Sequence, residues 1–283
     1  MLPADMAGNS YMGWFTELHP VLQALFAGLF TWASTALGAA LVFVFSSPRR
    51  KVLDVMLGMT GGVMLAAGFW GLLIPAIEAN TVDPSFQWIP AAVGLIVGWG
   101  IIQASDRHLP ELPVVDTAKA IAASDQSWRR TLLLVLAMFL HNIPEGLGMG
   151  MAFAGATQDV PAIDPKNALV LTLALGIHNF PEGIVVAMPL LRSGFSPAKS
   201  FFYGQMSAMV DPIFSVLGAL SMGVFREILP YGMGFAAGAM IYVVISEVVP
   251  ESQRSGYPHH ANAGFLFGLL LMMVLEFGWQ NGV

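Results

Sequence analysis

Cysteine is absent from this 283-residue chain. Disulfides and thiolate metal sites are therefore excluded, and the redox compartment cannot be read. Any metal site must use imidazole, carboxylate, amide or thioether. Charge is nearly as scarce. Asp, Glu, Lys and Arg supply 11% of the residues, where a soluble globular domain carries about 25%. The net charge is a modest −6, and no run of basic residues is long enough to suggest a nucleic-acid partner. The first twenty residues hold neither Lys nor Arg. The basic n-region of a cleaved signal peptide is thus missing, and the first apolar span is expected to be retained.

What the chain has instead is apolar length. Hydrophobic residues make up 56% of it, and the mean hydropathy is +0.69. Apolar stretches broken by charge or by Pro and Gly predict eight spans near residues 21–45, 53–77, 87–104, 131–155, 168–191, 198–222, 228–250 and 262–280. Each is close to the roughly 20 residues that a transmembrane helix needs. Buried helices of a soluble protein are a poor alternative, because too few polar faces exist to cover eight of them. The expected fold is an all-α integral membrane protein, one transmembrane domain over residues 1–283. Gly-rich faces such as Gly58–Gly62 and Gly232–Gly238 allow close helix approach in lipid.

The basic residues orient the bundle. With the N-terminus outside, Arg49, Arg50, Lys51, Arg107, Lys119, Arg129, Arg130, Arg192, Lys199 and Arg254 fall in cytoplasmic loops, and only Lys166 and Arg226 fall opposite. That asymmetry follows the positive-inside rule and puts both termini outside. The polar stretch 105–130 is then a cytoplasmic loop.

Two neighbouring spans carry one signature. The fourth holds His141-Asn142-Ile143-Pro144-Glu145-Gly146, and the fifth holds His178-Asn179-Phe180-Pro181-Glu182-Gly183. A short loop joins them, so the helices run antiparallel, as expected of an inverted repeat with a substrate site near the midplane. Each His lies about ten residues into its span, roughly 15 Å deep at about 1.5 Å per residue. His and Glu at i and i+4 share a helix face, and Asn at i+1 is turned toward a second, adjacent position. Each Pro leaves a carbonyl unpaired four residues back, on Leu140 and Ile177. Four ionisable groups at this depth cost on the order of 10 kcal/mol on insertion scales. Apolar residues would serve a purely structural role at lower cost.

Asp211, beside Pro212 in the sixth span, is a further intramembrane carboxylate. With Glu145 and Glu182 it brings three negative charges when ionised, a set that one or two divalent cations would balance. Met64 in the second span offers a thioether, although packing is the ordinary role of one methionine among 17. Glu247 in the seventh span could line an exit path or sit at the interface. His108, His259 and His260 in cytoplasmic loops could collect metal or simply be solvated.

At these residues the sequence resembles the ZIP (Zrt/Irt-like) metal transporters, most closely their bacterial GufA-like branch. The resemblance implies a central binuclear site. One metal would be held by Met64, His141, Glu145, His178 and Glu182. The other would be held by Asn142, Glu145, Asn179, Glu182 and Asp211, with Glu247 on the metal path. It also implies uptake toward the cytoplasm across the plasma membrane, a homodimer, and an elevator-like movement of spans one, four, five and six. Three departures stand out. The fifth-span motif begins His178-Asn179 where the branch often has Gln-Asp, Asp211 stands where Glu is usual, and the long loop has one His in place of a His-rich run.

Two imidazoles with carboxylates suit Zn²⁺, and also Cd²⁺, Fe²⁺, Mn²⁺, Co²⁺ or Ni²⁺. They are not needed for Mg²⁺ or Ca²⁺. The metal is read as transported substrate, and no organic cofactor is expected. An intramembrane metal-dependent hydrolase is the alternative. Against it, the motif is not the H-E-x-x-H pattern and leaves no general base once both Glu are ligands. A proton-coupled carrier of organic cations would want aromatic walls in place of clustered carboxylates.

Overall fold

The computed structural model describes residues 13–45, 50–79, 85–108, 126–157, 163–192, 194–224, 226–254 and 256–278. The chain ends, Lys119 and most of the expected 105–130 loop lie outside the described residues. Among the described residues there is no strand. Besides the short turns Gly13–Thr16 and Arg226–Ile228, the helices are α1 (Pro20–Phe43), α2 (Arg50–Glu78), α3 (Ile89–His108), α4 (Gln126–Ala156), α5 (Pro165–Arg192), α6 (Pro197–Met206), α7 (Val210–Val224), α8 (Leu229–Gln253) and α9 (Pro258–Gly278). Five of them, α1, α2, α5, α8 and α9, are long and apolar enough to cross a membrane. The chain is an all-α, multi-pass membrane protein.

Burial is arranged as lipid solvent requires. Leu37, Ile96, Val97, Leu266 and Phe267 are exposed on the outside, while Gln23, Asp54, Thr60 and the His–Glu motifs are buried within. With lipid as apolar as leucine, helices gain little by hiding hydrophobic faces and instead associate through close packing. Two pairs show how. Gly58 and Gly62 of α2 abut the carbonyls of Ala261 and Phe265, while Gly264 and Gly268 of α9 abut those of Val55 and Met59. The pair α3 and α8 repeats the device, with Gly94 and Gly98 against Tyr231 and Phe235, and Gly234 and Gly238 against Ala91 and Leu95. At each of these glycines a Cβ would collide with the neighbouring backbone.

The helices form two sets. In one, α1 packs on α5, α4 on α7, and α1 also on α4 and α7. In the other, α2 packs on α9 and α3 on α8. The sets meet where α4 touches α8 and α5 touches α2.

The sequence reading differs from the structure in two places. Residues 105–108 and 126–130 are helical, because backbone hydrogen bonding carries a helix past its apolar part. The sixth stretch is two helices, interrupted at 207–209. Pro212 cannot donate to the carbonyl of Ala208, and the amide of Asp211 takes that oxygen at 3.0 Å. Pro212 then sits in the first turn of α7, where proline is tolerated. By contrast, α4 and α5 remain helical through Pro144, Pro181 and Pro189.

Candidate metal site

The two repeated motifs meet face to face where α4 and α5 cross. Nε2 of His141 lies 3.2 Å from Oε1 of Glu182, and Nε2 of His178 lies 3.1 Å from Oε1 of Glu145. Within α5, His178 and Glu182 are 3.7 Å apart. His178 therefore stands between both glutamates. The four residues are buried, none more than 2% exposed. His141, Glu145 and Glu182 offer ligand atoms all within 4.8 Å of one another.

The asparagines are fixed by their amide nitrogens. Nδ2 of Asn142 donates to the carbonyl of Ser207 at 2.9 Å, and Nδ2 of Asn179 donates to Oδ2 of Asp211 at 3.0 Å. Both contacts depend on the interruption between α6 and α7. The break frees the Ser207 carbonyl for Asn142, and it puts Asp211 in the first turn of α7. Each asparagine thus keeps its oxygen unused. Buried without a hydrogen-bond partner in the chain are Oδ1 of Asn142, Asn179 and Asp211, Oε2 of Glu145 and Glu182, and Nδ1 of His141 and His178. Buried polar atoms are almost always paired, so seven orphans in one cluster mark a place built to receive something. The donors are imidazole nitrogen, carboxylate and amide oxygen, a set that suits a borderline divalent transition metal.

Four other candidates lie nearby or apart. Met64 is fully buried on α2, one residue pair before a π-helical segment, Ala67–Leu73. Glu247 lies in another π-helical segment of α8, Val244–Val248, a distortion often met at functional sites. With His141, Glu182 and Glu251 it lines a mainly apolar cleft between the two helix sets. His259 is exposed and His260 half-buried against Tyr257 at the start of α9, and neither joins the cluster. Two participants escaped the sequence reading, the Ser207 carbonyl and Thr60, which also lines the cleft. A proline after an intramembrane Asp was the available signal for the first.

Known proteins resemble this chain over most of its length. The family model described as ZIP Zinc transporter matches residues 115–276. The chain is 38% identical to "Zinc transporter ZIP11" of Xenopus tropicalis, over 92% of this chain and 98% of that protein. It is 35% identical to human "Zinc transporter ZIP11", over 91% and 97%. It is 33% identical to "Zinc transporter GufA" of Myxococcus xanthus, over 89% and 97%. These are transporters and not enzymes, so the hydrolase alternative has no support. The chain belongs to the ZIP family of membrane metal transporters.

Proposed function

We propose that this protein carries divalent transition-metal ions, Zn²⁺ foremost, across the plasma membrane toward the cytoplasm, through a midplane binuclear site. The observation that carries the reading is the crossed pairing of His141 with Glu182 and His178 with Glu145, set among orphaned buried oxygens. One ion takes His141, Glu145, His178 and Glu182, with the Met64 thioether completing its shell. A second takes the free oxygens of Asn142, Asn179 and Asp211, and the two glutamates bridge. Binding balances the charge that three carboxylates bring into a low-dielectric interior.

The grouping of helices supports an elevator-like alternating access. His141, Glu145, His178, Glu182 and Asp211 all ride on α4, α5 and α7, within one packed set. Met64 and Glu247 belong to the other. Sliding one set along the other would carry the ions past a fixed wall, and the cleft lined by Glu247 and Glu251 offers the way out. In this reading the bundle has eight spans, with α6 and α7 forming one of them, both termini outside, and two copies associating as a dimer.

Flux into proteoliposomes tests the function. Purified protein should take up Zn²⁺, and to differing degrees Cd²⁺, Mn²⁺ and Fe²⁺, above protein-free vesicles. Binding without flux for every metal would contradict transport.

A further inference from the structure

Thr60 presents a hydroxyl that the fold leaves unsatisfied. The residue is 2% exposed, and its Oγ1 is buried with no hydrogen-bond partner in the chain. It sits on α2 one turn before Met64, on the same helix face. It lines the cleft together with the buried His141 and Glu182 and the half-buried Glu247 and Glu251.

A helical threonine ordinarily bonds the carbonyl three or four residues back. Thr31, Thr35 and Thr172 do so, to Gly28, Thr31 and Ala168. Thr60 departs from that habit. A buried hydroxyl without a partner is costlier than a methyl group of the same size, so valine would serve packing alone better. The hydroxyl therefore has a use outside packing, and the cleft is what it borders.

We infer that Thr60 is a stepping ligand for the departing cation. This rests on the transport reading above. As the ion leaves His141 and Glu182 toward Glu247, the Thr60 oxygen donates a lone pair and replaces one water of its shell. A neutral, hard oxygen of this kind favours Mn²⁺ over the softer Cd²⁺. Thr60 is then a determinant of release rate and of metal choice, distinct from the ligands that hold the ion at midplane.

Thr60→Val and Thr60→Ser in proteoliposomes decide this. Metal content at equilibrium, thermal unfolding in detergent, and the maximal rate and KM for Zn²⁺, Mn²⁺ and Cd²⁺ are measured for the parent and both variants. Thr60→Val is expected to bind the parent's complement of metal and to unfold at the same temperature or higher. Its maximal rate should fall about fivefold, as loss of one net polar contact implies, with KM little changed and the fall larger for Mn²⁺ than for Cd²⁺. Thr60→Ser should stay near the parent. Parent-like flux in Thr60→Val would overturn the inference. So would an equal loss in Thr60→Ser, or a loss of rate accompanied by lower stability or lower metal content. A parent that carries no metal would overturn the transport reading, and this one with it.

Discussion

His141 on α4 lies 3.2 Å from Glu182 on α5, and the mirrored pair, His178 and Glu145, lies at 3.1 Å. Antiparallel helices carrying one motif bring its His opposite the partner's Glu, so neither helix completes the cluster alone. The symmetry is incomplete, because Glu182 also reaches His178 at 3.7 Å.

That asymmetry ranks the two glutamates. Glu182 touches both imidazoles, whereas Glu145 is paired with His178. Glu182→Gln should weaken Zn²⁺ binding by a further factor of about ten relative to Glu145→Gln, within the range that lost ligand partners cost metal sites. Calorimetric titration of the two variants measures the ratio. Equal affinities would show that the second contact of Glu182 has no part in binding.

Asp211 should tune the second metal position without founding the first. Its Oδ2 accepts from Asn179, and its Oδ1 is unpaired. Asp211→Asn is expected to keep one metal per protomer, lose or weaken the second, and slow transport without abolishing it. Asp211→Glu should tighten the second position. Elemental analysis of the three proteins checks this, and equal occupancy in parent and Asn variant would show that Asp211 is not a ligand.

Two glycines on one helix separate packing from composition. Gly98 abuts the Phe235 carbonyl, while an added Cβ at Gly100 meets no atom within 4 Å. Gly98→Ala should destabilise by about 1–3 kcal/mol through overpacking, and Gly100→Ala should be neutral or slightly stabilising. Thermal unfolding in detergent reads both. Matching losses would place the cost in the helix itself and not in the α3–α8 contact.

Much of this was legible in the chain. The doubled H-N-x-P-E-G motif pointed to His141, Glu145, His178 and Glu182, because i,i+4 spacing and antiparallel direction fix which faces meet. The crossed partners were not legible, since the spacing alone fits an in-helix pair such as His178–Glu182 equally well. The interruption at 207–209 was also hidden. Hydropathy runs unbroken through it, and only the hydrogen bonds show how Pro212 hands Ser207 to Asn142 and leaves Asp211 in a first turn. Thr60 gave no signal, because an unpaired hydroxyl is a property of the packed cleft.

Topology is testable without disturbing the site. The proposed orientation, read from the Lys and Arg distribution, has residues 105–130 on the cytoplasmic side. In a cysteine-free chain, a single Cys introduced at position 119 should react with an impermeant thiol reagent only from the cytoplasmic face. Reaction from outside would contradict the eight-span arrangement.

The most direct test of the central claim compares Zn²⁺ uptake and bound metal in the parent, His141→Ala and His178→Ala, each reconstituted at equal density. Each substitution removes one imidazole from a shared cluster. Affinity should fall by at least the roughly 10- to 100-fold that loss of an outer-shell partner alone costs a metal site, with uptake close to that of empty vesicles and the helical fold retained. If either variant binds and carries Zn²⁺ like the parent, the crossed His–Glu pairs are structural and the account fails.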